Sequence, residues 1–277
     1  MYAIITSINK GNQNSPSFGK EYLRLKGHSK DITSIRYSPC GSYLATGSCD
    51  RIILIYGVIE GKKNFGKVIT SLIGHTDSIL SIEYSPIGNL LASGGNDCCG
   101  IVYKLDNLVY DINANVEQFK LDGHSNTIYS VCFSECGCFL ATGSADRSAN
   151  IYCTDPQNSL NFCKQIYKIN TNHKDWILNI AFCPNFRFNN TTNDSHIQYL
   201  ATGSADKKTN IYKFNNFDNI YNLLNDSIEL YDFKKESVSE MILSLDSHKD
   251  RISFVEYSPC SYFFATASDD KSVIIYC

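Results

Sequence analysis

The sequence predicts an all-β fold made by writing one small antiparallel sheet five times. Three observations predict it. His28, His75, His124 and His248 each stand 22 residues before an Asp, at Asp50, Asp97, Asp146 and Asp270, and a fifth pair, His173 and Asp206, is 33 apart because of 11 extra polar residues around Asn189 to His196. A Tyr follows six residues after every one of those Asp residues, at Tyr56, Tyr103, Tyr152, Tyr212 and Tyr276. The steps between successive His residues are 47, 49, 49 and 75, the last swollen by the same surplus and by a longer link before His248. A period in this range means that each unit is one supersecondary element that buries its faces only by stacking on its neighbours.

Four residues after every His stands an Ile, at Ile32, Ile79, Ile128, Ile177 and Ile252. Three further on come Ile35, Ile82, Val131, Ile180 and Val255, and after two more Tyr37, Tyr84, Phe133, Phe182 and Tyr257. Such β-branched and aromatic runs suit a pleated, packed surface and read as a first strand. A turn follows, as SPCG at Ser38 to Gly41, SPIG at Ser85 to Gly88, SECG at Ser134 to Gly137 and SPCS at Ser258 to Ser261. The second strand is YLATGS at Tyr43 to Ser48, with counterparts beginning at Leu90, Phe139, Tyr199 and Phe263; the third reads IILIY, GIVYK, ANIYC, TNIYK or VIIYC. A less regular fourth precedes each next His, as in KVITSL at Lys67 to Leu72 and SEMILSL at Ser239 to Leu245. Four antiparallel strands per unit make a propeller blade. One β-propeller domain over residues 1–277 is expected, with an N-terminal strand and loop at 1–19 and blades near 20–72, 73–121, 122–169, 170–245 and 246–277.

At these residues the chain resembles the WD40-repeat family, whose pattern runs Gly-His, a Ser or Thr in the second strand, an Asp, and a Trp-Asp pair. The likeness covers about residues 20 to 277 and departs in one consistent way. Tyr stands where the family has Trp in all five copies, and the Asp that should follow is Gly57, Lys104, Cys153, Lys213 or Cys277, while the single Trp, Trp176, lies elsewhere. The resemblance implies a structural hydrogen-bond chain inside each blade, formed by His28, Thr46 and Asp50; His75, Ser93 and Asp97; His124, Thr142 and Asp146; His173, Thr202 and Asp206; and His248, Thr266 and Asp270. A partly satisfied buried network is costly, and a phenol hydroxyl reaches differently from an indole N–H. The Tyr rings are therefore expected to pack in place with the last link of the chain altered or lost.

Propellers of this family commonly close with seven blades, and five are legible here. Glu21 to Lys26 could serve as a fourth strand for the three that end at Cys277 and so close a five-bladed ring. Alternatively MYAIITSI is one more strand, the edge of a missing blade in an incomplete seven-bladed propeller that a partner's strands complete; unpaired sheet edges invite association.

Composition narrows the function. A net charge of −3 and a pI near 6.1 give no clustered basic footprint, so direct nucleic-acid binding is not expected. Cys40, Cys136 and Cys260, among twelve Cys residues, occupy one turn in different blades and cannot converge on an ion; Cys98-Cys99 and the trio Cys132, Cys136 and Cys138 lack a second half with ligand spacing, so no metal is expected. Five of the six His residues are committed to the repeat, and His196 has no nucleophile or second acid at a telling distance, so no catalytic site, cofactor or small-molecule substrate is expected. The start is too short and unflanked for a secretory signal and no stretch is long enough to span a bilayer; a cytoplasmic or nuclear location without a membrane is expected, where the sequons at Asn190 and Asn225 carry no information.

Function should then lie on the faces of the disc, as a scaffold or adaptor for proteins or short peptide motifs. The resemblance places the partner rim at the residues three and five after each His and one before each Asp. These are Asp31, Ser78, Thr127, Trp176 and Arg251; Thr33, Leu80, Tyr129, Leu178 and Ser253; and Cys49, Asn96, Ala145, Ala205 and Asp269. Trp176, Tyr129, Leu178 and Leu80 put large apolar groups at positions aimed at solvent, with Arg251 and Asp269 beside them and Asn96 and Asp31 further round; Trp, Tyr and Arg dominate interface energetics. The alternative is that Trp176 only shields its own blade. The insertions at Phe186 to Gln198 and Asn215 to Glu240 are expected on the lower face, the first a polar spacer, the second a spacer or a docking element carrying Tyr221, Leu223, Leu224, Leu230, Tyr231 and Phe233. A substrate-recognition subunit of a ubiquitin ligase and a structural subunit of a chromatin or RNA-processing complex are both compatible with this reading.

Overall fold

A computed structural model describes residues 2–6, 21–105, 116–184, 198–214 and 239–277. Those residues form twenty-one β-strands and no helix. The strands are β1 (Tyr2–Thr6), β2 (Glu21–Lys26), β3 (Ile32–Tyr37), β4 (Tyr43–Ser48), β5 (Ile52–Gly57), β6 (Val68–Ile73), β7 (Ile79–Tyr84), β8 (Leu90–Gly95), β9 (Gly100–Lys104), β10 (Glu117–Leu121), β11 (Ile128–Phe133), β12 (Phe139–Ser144), β13 (Ser148–Cys153), β14 (Gln165–Asn170), β15 (Ile177–Phe182), β16 (Gln198–Ser204), β17 (Thr209–Phe214), β18 (Ser239–Leu245), β19 (Ile252–Tyr257), β20 (Phe264–Ser268) and β21 (Val273–Tyr276). Four antiparallel meanders of four strands follow in chain order, β3 to β6, β7 to β10, β11 to β14 and β15 to β18, then a three-stranded sheet, β19 to β21. Both insertions lie almost wholly outside the described residues, as do His196, the two sequons and the apolar residues between Tyr221 and Phe233.

The odd spacing of the two core-facing residues in each first strand has a structural cause. Ile79 and Ile82 are both fully buried in the core although they stand three positions apart, which a regular strand with its period of two cannot arrange; in the first blade the second of the pair, Ile35, is instead 42% exposed. A β-bulge intervenes in every blade, leaving Thr33, Leu80, Tyr129, Leu178 and Ser253 out of the cross-strand register. The bulge restores the inward phase and re-aims the extra residue.

The core lies between adjacent sheets. Ile79 and Ile82 of the second blade pack on Ala45, Ile53 and Ile55 of the first, and Ile177, Ile180 and Phe182 of the fourth on Ala141, Ala149 and Ile151 of the third. Glycine in the second strand makes the close approach possible. A Cβ on Gly94 would stand 2.5 Å from Ile128 Cγ2, one on Gly143 2.8 Å from Ile177 Cγ2, and one on Gly203 2.7 Å from Val255 Cγ1. A polar stitch accompanies each contact. The amides of Ile82, Val131 and Ile180 donate to Ser34, Ser81 and Ser130 Oγ at 3.2, 3.3 and 3.3 Å, and that of Val255 to Asn179 Oδ1 at 3.0 Å.

The fifth blade breaks both rules. Its counterparts to the Ser-Gly pairs are Phe254, 43% exposed, and Ala267, which face each other across β19 and β20. The first strands line a cavity of about 600 Å³ bordered by Arg36, Glu83, Cys132, Ala181 and Glu256. Burial there pushes the Glu83 carboxyl up to about 7 against the opposing pull of Arg36.

Closure of a five-bladed ring through Glu21 to Lys26 is not what forms. β2 pairs with β1, Ala3 opposite Leu25, and among the described residues β21 has no fourth strand beside it. The preference is local: β1 is β-branched and close in the chain, so pairing with it closes a shorter loop than joining the two ends would. Ala3 and Leu25 then bury themselves on Leu44, Leu54 and Tyr56 of the first blade.

Candidate functional site: blade networks and the upper rim

All five expected networks form. His28 Nδ1 lies 2.9 Å from Asp50 Oδ2 and its Nε2 2.7 Å from Thr46 Oγ1. The corresponding distances are 3.0 and 2.7 Å for His75 with Asp97 and Ser93, 2.9 and 2.7 Å for His124 with Asp146 and Thr142, 3.0 and 2.8 Å for His173 with Asp206 and Thr202, and 2.9 and 2.7 Å for His248 with Asp270 and Thr266. Burial pushes the His75 ring below its ordinary value, with Asp97 pulling the other way, so the neutral ring donates from Nδ1 and accepts the Ser93 hydroxyl at Nε2.

The Asp does more than hold the imidazole. Asp206 also accepts the Lys174 amide at 2.8 Å and the Lys208 amide at 3.0 Å, so one carboxylate ties the entry of the first strand to the turn between the second and third. Burial alone would raise this carboxyl, but the His173 ring and the two amides outweigh it and hold it at about 2. Asp50 and Asp97 are lowered likewise against burial. The residue after each Asp takes a left-handed conformation although none is glycine: Arg51, Cys98, Arg147, Lys207 and Lys271 have φ between 63 and 75°. The Asp side chain supports this by accepting the next amide, as Asp50 does from Ile52 at 3.2 Å.

The Tyr substitutions behave as expected for the ring, and the last link is redirected. Tyr56, Tyr103 and Tyr152 are fully buried. The Tyr152 hydroxyl donates to the Asp122 carbonyl at 2.8 Å, just past the fourth strand of the second blade, and the Tyr56 hydroxyl to the Lys26 carbonyl at 3.4 Å, at the end of β2. That of Tyr103 is buried beside Ser93 without a hydrogen bond of good geometry.

The repeat ruler does not reveal a further brace. Ser48, Ser144, Ser204 and Ser268 each accept the amide of the network Asp at 3.1 Å and donate to the carbonyl of Lys30, Asn126, Asp175 or Asp250. The signal was the Ser that ends four of the five second strands; the second blade has Gly95 there.

On the rim, one backbone bond recurs in all five blades. The amides of Cys49, Asn96, Ala145, Ala205 and Asp269 donate at 2.9 to 3.0 Å to the carbonyls of Asp31, Ser78, Thr127, Trp176 and Arg251. The two sets read from the sequence are therefore neighbours across the first two strands. Trp176, 46% exposed, faces the small Ala205 and stacks on Tyr129 of the preceding blade, ring centroids 5.9 Å apart and planes 29° apart. Asp175 orients the turn by accepting the Trp176 amide at 2.8 Å. Arg251 pairs with Asp269, and its charge also reaches the Tyr129 hydroxyl. Trp176, Tyr129, Arg251 and Asp269 thus form one patch over the third to fifth blades. Leu80 and Leu178 sit at bulge positions but are half-buried and add little surface, while Asp31 and Asn96 are exposed elsewhere on the rim.

No group of three or more His, Cys, Asp or Glu among the described residues could hold a metal ion, and no helix there is long and apolar enough to cross a membrane.

The family model described as WD domain, G-beta repeat matches the chain at residues 19–57, 66–104, 115–153, 163–213 and 239–277. Each match begins with the outer strand of one sheet and continues through the three inner strands of the next, so unit and blade are offset by one strand. WD40 repeats are generally protein-interaction scaffolds and typically not enzymes. With five matches covering well over half its length, the chain belongs to the WD40-repeat family.

Proposed function

We propose that this protein is a non-enzymatic interaction platform that takes a partner protein or peptide segment on the upper rim at Trp176. The observation that carries the reading is the Trp176–Tyr129 stack, a rigid aromatic step between two blades that leaves nearly half of the Trp uncovered beside the Arg251–Asp269 pair. Covering that exposed half removes on the order of 100 Å² of apolar surface, worth about 2.5 kcal/mol at 25 cal/mol per Å². Energy of that size is typical of an interface anchor. The same rim would serve a substrate-recognition subunit of a ubiquitin ligase or a structural subunit of a chromatin or RNA-processing complex, in cytoplasm or nucleus, and the identity of the partner decides between them.

Quantitative affinity capture from the native cell tests this, comparing wild type with Trp176→Ala and Tyr129→Ala and using Ile87→Ala in the second blade's SPIG turn as control. Rim variants should lower recovery of at least one partner by roughly thirtyfold in affinity, equivalent to ~2 kcal/mol. Retention of every partner by Trp176→Ala overturns the reading.

A second reading, a subunit completed by a strand from its partner, is favoured by the fifth blade, where Val273 and Ile275 on β21 are 67% and 69% exposed and Phe254 and Phe263 are uncovered. Sedimentation of the purified chain distinguishes it: a stable monomer without self-association argues against it.

A further inference from the structure

Three turns of the lower face repeat a serine and a cysteine at the same two places. Ser38 Oγ lies 3.3 Å from Cys40 Sγ, Ser134 Oγ 3.2 Å from Cys136 Sγ, and Ser258 Oγ 3.2 Å from Cys260 Sγ, and all three thiols are exposed. Only one of these turns carries a second thiol. Two residues after the cysteine stand Ser42 in the first blade and Tyr262 in the fifth, but Cys138 in the third. Gly137, with φ 73°, turns the chain back between them, and Cys138 Sγ lies 3.7 Å from the Cys136 carbonyl oxygen. The neighbouring Cys138 thiol first, then the Ser134 hydroxyl and the turn amides, stabilises the Cys136 thiolate and lowers it to about 6 although burial opposes it; Cys138 is raised, first by Cys136 and then by burial. Cys40 and Cys260, with their serines but no second thiol, are lowered as well.

We propose that Cys136 and Cys138 form a two-thiol modification site that exchanges with low-molecular-weight disulfides of the glutathione class, Cys136 attacking and Cys138 resolving. In the first step the Cys136 thiolate attacks one sulfur of the small disulfide, forming a mixed disulfide and releasing one small thiolate. The proton lost by Cys138 neutralises that leaving group. The Cys138 thiolate then attacks the Cys136 sulfur, closing the Cys136–Cys138 disulfide and expelling the second small thiolate, which takes back from solvent the proton that Cys136 had released. Two protein thiols are oxidised by two electrons and one small disulfide is reduced to two thiols. The raised Cys138 suits this order, since it stays protonated until its partner has reacted.

At pH 7 a thiol lowered from 9 to about 6 is some ninetyfold richer in thiolate, while its weaker basicity takes back about twentyfold, which leaves a net reactivity gain of a few-fold. The test uses the reduced full chain exposed to oxidised glutathione, with free thiols blocked and each peptide weighed. Expected is an internal Cys136–Cys138 disulfide, with Cys40 and Cys260 carrying at most single glutathione adducts. Cys138→Ser should stop at the Cys136 adduct and Cys136→Ser should give neither product, both with unchanged far-UV circular dichroism. In wild type, alkylation of Cys136 should reach half its maximal rate near pH 6, and later at Cys40 and Cys260. An adduct on wild-type Cys136 that never proceeds to the internal disulfide, or a Cys136 no faster than the other two, overturns the proposal.

Discussion

If the network Asp is a hub for its blade, Asp206 and His173 must be energetically coupled. Asp206→Ala strands three donors, His173 Nδ1–H and the Lys174 and Lys208 amides. Hydrogen bonds to a charged group contribute about 1.5 to 3 kcal/mol each, but the two amides lie near solvent and can be rehydrated, so a net loss of about 3 kcal/mol is expected. His173→Ala empties a buried ring site and leaves Thr202 and Asp206 without their partner, for a similar loss. Because both substitutions remove the same contact, the double variant should fall short of the sum by about 1.5 kcal/mol. His28→Ala with Asp206→Ala, in separate blades, should add within ~0.5 kcal/mol. Urea unfolding followed by far-UV circular dichroism gives the six stabilities, and Trp176, the only Trp and three residues from His173, reports on the same blade by fluorescence. Coupling below 0.5 kcal/mol for His173 and Asp206, or equal coupling in the control pair, refutes the hub.

The pH dependence follows from the same groups. Asp206 sits at about 2 in the folded chain and near 3.9 unfolded, so its stabilisation, roughly 1 to 2 kcal/mol after solvent screening, is complete above pH 4 and is lost as pH falls toward 2. The lowered His75 adds a shallower decline that begins below about pH 6.5, where only the unfolded chain binds the proton, and His75→Gln should remove it from the acid-unfolding curve. Tyr152→Phe should cost about 1 kcal/mol in urea midpoint analysis, since it loses the 2.8 Å bond to Asp122, whereas Tyr103→Phe should be close to neutral. Gly143→Ala should destabilise by about 1 to 3 kcal/mol, because its methyl would stand 2.8 Å from Ile177 in a packed seam, and a neutral result would show that the seam has slack.

Strand positions were legible because the His-to-Asp ruler locks to the alternation of apolar residues; Ile32–Tyr37 and Ser239–Leu245 occur as expected, and Val68–Ile73 is displaced by a single residue. Which edge Glu21–Lys26 would join was not legible, since β1 and β21 offer similar β-branched backbone and the choice rests on loop length and on burial of Leu25. The rim patch was readable as a set of positions, but the bulge that turns Tyr129 toward Trp176 shows in the sequence only as an awkward interval of three. Phe254 and Ala267 were plain in the sequence too. Their meaning needs the knowledge that these two places face the next sheet, which comes from the packing of Ser34, Gly47 and their counterparts.

The one-strand offset between repeat and sheet has a mechanical consequence. The stretch between Phe214 and Ser239 separates β17 from β18, yet those two strands pair from Thr209–Leu245 through Phe214–Ser239. A protease cut in that stretch would sever the covalent chain while leaving its two pieces laced along a full strand, and Ile252 and Val255 still seated on Ala181 and Ala201. Nicked molecules should therefore travel as one particle until denatured, and separately made halves cut at that point should find each other.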